Sequence, residues 1–405
     1  MKNGWRKIKL EECVDLLTGY PFKSDRFTSN PEDIPLIKGE NIHQGYIDWN
    51  NPKRWPREIL NDLEKYWLSE GDVILAMDRP WIEAGLKFAW VRKNDPRSLL
   101  VQRVSRLRGK GCLRTNYLRY IIASAFFTDY IKPIVTGVSV PHISPSQIKN
   151  FEFVLPSLET QDQITSLLSE YDDLIENNTR RLEILEGMAK LIYREWFVEF
   201  KGPGVKLRKA SLEEKKVTGK NLFPEGWEVT RLGKVVHNHD SKRKPISSMK
   251  REEMKGEYPY YGAAKVVDHV NDYIFDGKYL LVAEDGSVVT SDRKPVLQLV
   301  DCRFWPNNHT HVIQGKDPVS TDFLFLRLSH LDVTGYITGA AQPKITQENL
   351  NRIPVVIGTD KIMDEFSQAI GANISLGHKL EKQNATLRQT RDLLMPKLLS
   401  GEIEV

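Results

Sequence analysis

The sequence predicts an α+β protein made of two globular heads and two long helices, the second head and helix repeating the first. Three observations carry this. Gly4-Trp5-Arg6-Lys7-Ile8-Lys9-Leu10 returns as Gly226-Trp227-Glu228-Val229-Thr230-Arg231-Leu232. Thr136-Gly137-Val138-Ser139-Val140-Pro141-His142-Ile143-Ser144 returns as Thr338-Gly339-Ala340-Ala341-Gln342-Pro343-Lys344-Ile345-Thr346. Each half then closes on a long charged segment with a helical apolar period. A solenoid repeats every ~20–50 residues, so a period this long marks a duplicated module instead. A pseudo-two-fold axis relating the copies would run the helices antiparallel as a coiled coil, with a head at either end.

The first head spans residues 1–156. It reads as short β runs, such as Asp72–Met77 and Lys87–Val91, separated by Gly and Pro clusters. One helix, about Thr115 to Ile134, places Leu118, Ile121, Ile122, Phe126, Phe127 and Ile131 at helical spacing. Residues 157–200 form the first spacer helix. Its seam of Ile164, Leu168, Tyr171, Ile175, Asn178, Leu182, Leu185, Ala189 and Ile192 steps by alternating four and three. Lys201-Gly202-Pro203-Gly204 breaks that helix, and residues 201–223 read as a charged linker. The second head covers residues 224–355, with a helix at about Thr321 to His330. The second spacer helix covers 356–405, with a seam of Ile362, Phe366, Ala369, Asn373, Leu376, Leu380, Gln383, Leu387, Thr390 and Leu394. At ~1.5 Å rise per residue, some 30–35 helical residues make a spacer on the order of 50 Å. The repeat offset falls from 222 at Trp5/Trp227 to 202 at Gly137/Gly339, so the second head is shorter by 20 residues.

Composition bounds the class. The net charge of +4 is mild and by itself names no partner. Cys13, Cys112 and Cys302 have no C-x-x-C spacing, which suits a reducing compartment and excludes a zinc finger or disulfide framework. The N-terminal residues lack the apolar stretch of a signal peptide, and no apolar run approaches the ~20 residues of a membrane span. The expectation is a cytoplasmic protein without a membrane partner.

Motifs of catalysis are sparse. There is no G-x-x-x-x-G-K-[ST] phosphate loop, no glycine-rich cofactor turn and no Asn-Pro-Pro-aromatic tetrapeptide. Glu199-Phe200-Lys201 is half of a nuclease pair without its Pro-Asp. His309 and His311 share one strand face but lack a third metal ligand in sequence, so no catalytic or metal residue is assigned. Polar loops are more informative, because Asn, Gln, Arg and Lys read base edges while cations neutralise phosphates. In the first head the DNA-binding candidates are Lys38, Asn41, Arg79, Gln102, Arg103 and His142. In the second they are Tyr261, Lys265, Ser287, Asn307, Asn308, His309 and Lys344. His142 and Lys344 occupy matched places in the repeated Thr-Gly…Pro-x-Ile element.

With its Gly-Trp openings, Thr-Gly elements and two spacer helices, the chain resembles the specificity subunit of type I restriction–modification enzymes. The helix endings Leu191-Ile192-Tyr193-Arg194-Glu195-Trp196-Phe197-Val198 and Arg391-Asp392-Leu393-Leu394-Met395-Pro396-Lys397-Leu398 are the most specific part of that resemblance. It implies two target-recognition domains reading a bipartite asymmetric site on double-stranded DNA, and helices that space them. It also implies docking of two modification subunits through Arg194, Trp196, Phe197, Leu394 and Leu398. Those subunits would carry S-adenosylmethionine, and restriction subunits would add ATP and Mg; no cofactor is expected on this chain. Two alternatives remain: the specificity subunit of a related system that cuts near its site, and a protein-binding coiled-coil adaptor.

Overall fold

The computed structural model describes residues 4–60, 62–82, 85–134, 141–339 and 342–405. The repeated segments at 136–140 and 340–341 lie outside the described residues. The fold is α+β, in two compact units: Met1–Asn177 with Gln383–Val405, and Asn178–Lys382. Boundaries read from the sequence separate head from helix, whereas each compact unit joins one head to a segment of both helices. The cause is burial: each head covers the apolar stripe of the helix segments beside it.

In the first unit β1 (Arg6–Lys9) opens the head and β2 (Val14–Thr18) follows. Next come β3 (Val73–Ala76), β4 (Phe88–Trp90) and β5 (Val104–Gly109). Strands β2, β5, β3 and β4 form an antiparallel sheet in that order. After α1 (Thr115–Ala123) and α2 (Pro145–Lys149), β6 (Glu152–Leu155) returns to pair with β1. The helix expected over Thr115–Ile134 is two helices, because Ser124 is extended and its hydroxyl caps Ala125–Ile131 by accepting the Phe127 N–H.

The second unit repeats this plan. Its elements are β7 (Glu228–Arg231), β8 (Val236–Asn238), β9 (Lys278–Ala283), β10 (Leu297–Asp301), β11 (Thr310–Gly315), α3 (Thr321–Ser329), α4 (Gln347–Arg352) and β12 (Pro354–Ile357). The sheet order β8-β11-β9-β10 and the β7–β12 pair copy the first head. Even the turn after the long strand is copied. The Gly109 N–H donates to Thr115 Oγ1 at 3.0 Å, and the Gly315 N–H to Thr321 Oγ1 at 3.1 Å. A Cβ on either glycine would collide with the carbonyl of Leu113 or Val319.

The pairing registers locate the shortening. The offset is 222 at Val14/Val236 but 207 at Val73/Leu280, since these pair with the equivalent residues of β5 and β11. Most of the difference therefore lies in the excursion between the second and third strands. There the first head builds Ile34–Ile37 and Arg54–Trp55 around Phe22, Leu36 and Trp55, with Ile34–Ile37 also pairing to the later Leu99–Leu100. The second head builds the hairpin Lys255–Tyr261/Val266–Val270.

The long helices run Leu158–Tyr193 and Asp360–Ser400. They are antiparallel within each unit. In the first, Arg391 Nη1 donates to Asp172 Oδ1 at 2.7 Å and Asn384 Nδ2 to the Ile175 carbonyl at 3.3 Å. In the second, Gly377 lies against Leu182, and Trp196 packs on Phe366 with ring centroids 5.7 Å apart. The first seam lies where the sequence put it, with Ile164, Leu168, Ile175, Asn178 and Ala189 buried. The second is shifted in phase. Phe366 and Leu380 are buried as expected, but their partners are Ile370, Gly377, Asn384 and Arg391 rather than Ala369, Leu376, Gln383 and Thr390. Apolar character picked Leu376, whereas close approach selects Gly377 and an ion pair selects Arg391.

The stretch expected as a linker is folded. A hairpin of Leu207–Lys209 with Leu222–Pro224 encloses the helix Leu212–Thr218, and Phe223 is fully buried. Arg208 grips Glu214 through both oxygens at 2.9 and 2.7 Å and, chiefly by those bonds, holds its carboxyl down to about 2. No helix among the described residues is long and apolar enough to cross a membrane.

Candidate nucleic-acid interface

In both heads the sequence-selected residues gather at one turn, the end of the third strand. The Met77 N–H donates to the Arg103 carbonyl at 2.9 Å, and the Ile143 N–H to the Met77 carbonyl at 2.8 Å. In the second head the Glu284 N–H donates to the His309 carbonyl at 2.9 Å, and the Ile345 N–H to the Glu284 carbonyl at 2.9 Å. Bridges Asp78/His142 and Asp285/Lys344 complete the match. Thus Arg103 corresponds to His309, His142 to Lys344, and Arg79 to Gly286, on one backbone frame.

The first head presents Arg79, Gln102 and Arg103 as exposed side chains, with His142 half-buried beside them. Asp78 ties them together: its Oδ1 is 2.5 Å from His142 Nδ1 and its Oδ2 is 3.5 Å from Arg103 Nε. Arg79 has φ +45, where its counterpart Gly286 has φ +77. Glycine adopts that region freely, whereas an arginine there is uncommon and costs backbone energy. Lys38 is half-buried near the same turn, its ammonium 2.9 Å from Glu40. Asn41 differs from the expectation of a base reader. Its amide is buried, accepting the Lys38 N–H at 2.8 Å and donating to the Leu36 carbonyl at 3.2 Å, so it shapes the loop. Lys87, which no sequence motif marks, donates to the Gly39 carbonyl, and burial lowers its pKa.

The second head exposes Lys265, Ser287, Asn308 and His309. His309 Nδ1 lies 2.6 Å from Asp285 Oδ1, and Asn307 Oδ1 accepts the His309 N–H at 2.8 Å. The Asn307 N–H reaches the Tyr261 carbonyl at 2.9 Å, bringing in the hairpin that carries Lys265. Burial pushes the Tyr261 phenol up to about 12. Lys344 Nζ is 3.0 Å from Glu284 Oε1. Behind it, fully buried His311 sets Nδ1 2.6 Å from Asp240 and Nε2 2.8 Å from the Ile345 carbonyl. Arg243 Nη1 donates to Glu284 and to the Thr310 carbonyl at 2.7 and 2.8 Å. Burial raises the Asp240 and Glu284 pKa values, but hydrogen bonds from His311 and from Arg243 outweigh it and both end lowered. Asp240, Glu284 and His311 lie within 4.8 Å of one another, as metal ligands do. Arg243 and Lys344 already neutralise these carboxylates, so the donor set is that of an ion-pair network.

The family profile described as "Type I restriction modification DNA specificity domain" matches residues 2–186 and again 224–379. The chain belongs to that DNA sequence-recognition family. Its two matches coincide with the two head-and-helix copies. Among members of this family, it is 26% identical over 99% of its length to a putative MjaX specificity subunit of Methanocaldococcus jannaschii, covering 94% of that protein. It is 26% identical to the MjaIX specificity subunit of the same organism, covering 72% of this chain and 69% of that one. A 34% identity to the EcoAI specificity subunit of Escherichia coli spans 44% of this chain but only 29% of the relative. The fold matches the crystal structure of a type I S subunit from M. genitalium, at TM-score 0.61 and 16% identity over 98% and 97% of the two chains.

Each Gly-Trp opening packs against a helix ending. In the second unit Arg194–Val198 forms a widened π turn that drives Phe197 into the core, 5.1 Å from Trp227, 4.8 Å from Phe323 and 4.9 Å from Phe366. In the first unit Gly401, at φ +75, lies under the Trp5 ring, where a Cβ would sit at 3.3 Å. Phe197 and Leu398 are buried, contrary to the docking role implied for them, because each completes a core. Arg194 stays exposed, and Trp196 and Leu394 are half-buried.

Proposed function

We propose that this chain reads a bipartite, asymmetric sequence in double-stranded DNA, one half with each head, and scaffolds the subunits that act there. The observation that carries the reading is one backbone frame presenting two different sets of donors. Arg79, Gln102, Arg103 and His142 stand in the first head. His309, Lys344, Ser287 and Asn308 stand in the second. Guanidinium, amide and imidazole donors match acceptors on base edges, and the cations match phosphates. Unlike sets on a like frame would read unlike half-sites, with the long helices setting the gap between them.

Two modification subunits would dock along the helices, Arg194 and the partly exposed Trp196 and Leu394 offering the accessible contacts. They would bring S-adenosylmethionine and methylate adenine, while restriction subunits would bring ATP and Mg. This chain would supply position only. The first helix carries eight acidic and three basic side chains, the second five and six. Residues 1–156 carry 24 basic against 18 acidic side chains, an excess the first helix offsets, whereas residues 224–355 carry 17 of each. The test is to map methylated adenines in DNA exposed to the chain with its modification partner. Two different short words at a fixed gap are expected; one continuous ungapped word would refute the proposal.

A further inference from the structure

We propose that Asp78 and Asp285 are matched positioning residues, each fixing the donor side chains of its own head so that one half-site is read more sharply, at the expense of general DNA affinity. The proposal rests on the DNA-reading assignment above. Around the turn the two heads differ almost everywhere: Met77 against Glu284, Arg79 against Gly286, Arg103 against His309, His142 against Lys344. The aspartate is the same in both. A carboxylate is the wrong charge for a surface that meets phosphates, since it repels them and holds back the counterion-release gain. What it provides is geometry.

In the first head Asp78 engages a ring nitrogen of His142 at 2.5 Å with one oxygen, and faces Arg103 Nε at 3.5 Å with the other. It thereby links the strand-end turn to two separate segments. In the second, Asp285 engages His309 Nδ1 at 2.6 Å while its backbone pairs with Lys344. Asp78 is more buried than Arg103, at 33% against 61% exposure, though not than His142 at 27%, and Asp285 is more buried than His309, at 19% against 50%. Each aspartate therefore sits behind one exposed donor, Arg103 or His309, aiming it outward. A long side chain held in one direction discriminates base edges; one free to swing finds a phosphate on any sequence.

The test uses the full chain assembled with its modification subunits, with Asp78→Ala, Asp78→Asn, Asp285→Ala and Asp285→Asn. Two quantities are read: affinity for a non-cognate duplex across a salt series, and the preference for cognate over singly substituted duplexes. For Asp78→Ala, non-cognate affinity should rise severalfold. Discrimination should fall by roughly tenfold at one half-site only, and Asp285→Ala should do the same at the other. The Asn variants keep an oxygen acceptor and should recover part of the discrimination. Discrimination that stays unchanged, or that falls together with non-cognate affinity as a purely structural role would require, overturns the inference. A wild-type complex that recognises no gapped sequence would instead refute the underlying DNA-reading assignment.

Discussion

Behind the same turn, the first head places Thr18, Met77 and Ser105 where the second places Asp240, Glu284 and His311. Met77 is buried in an apolar cluster, and the buried Ser105 hydroxyl has no hydrogen-bond partner among the described residues. In the second head the space holds five ionisable groups, counting Arg243 and Lys344. One frame thus accepts an apolar or an ionic support. An apolar support tolerates change in proportion to the volume removed, whereas an ionic one fails when a single partner is lost.

The largest effect should come from breaking the ionic support. Glu284→Ala leaves Arg243 facing fewer carboxylates in a buried site and should lower stability by about 3–5 kcal/mol in chemical denaturation. A comparable loss is expected in the first unit for Asp172→Ala. There Asp172 accepts from Arg391 and from the Tyr120 hydroxyl, both at 2.7 Å. Replacing the buried members of the network, Asp240→Thr, Glu284→Met and His311→Ser as in the first head together with Arg243→Leu, and leaving the more exposed Lys344, should keep stability within about 2 kcal/mol of wild type. A loss as large as that of Glu284→Ala would mean that the two supports are not interchangeable.

Acid should separate the units next. Asp240 and Glu284 have folded pKa values below their ordinary ones, and Asp268 and Glu214 are held near about 2, all in the second unit. Depressed carboxyls contribute stability that is full above their unfolded values of about 4 and lost as pH falls through the folded ones. Hydrogen exchange between pH 4 and pH 2 should therefore show the second unit losing protection before the first. The smallest effect belongs to Arg79→Gly, which installs the second head's residue. Stability should move by less than about 1 kcal/mol, because glycine relieves the positive φ. The salt slope of DNA binding should fall by about one ion.

The duplicated plan was legible because β runs, turn residues and the first seam follow strict periods. The second seam's phase was not, because Gly377, Asn384 and Arg391 take seam positions through close approach and pairing rather than apolarity. The donor-rich loops of both heads meet at the same turn of the shared frame. A search for donors alone passed over Asp78 and Asp285, the carboxylates that hold those donors. Asn41, Phe197 and Leu398 looked available in sequence, but burial assigns them to loop and core. The ionic network was out of reach, since Asp240 and His311 meet across 71 residues of chain. A missed sign does exist: Gly109 and Gly315 each stand six residues before a threonine, marking equivalent strand ends.

The central claim is that one frame with exchangeable side chains reads two words. Its most direct measurement maps methylated adenines for the double variant His309→Arg and Lys344→His, which gives the second head two of the first head's donors. The account predicts that one half-site changes while the other half-site and the gap stay as in wild type. A change in both halves, or in neither, would contradict it.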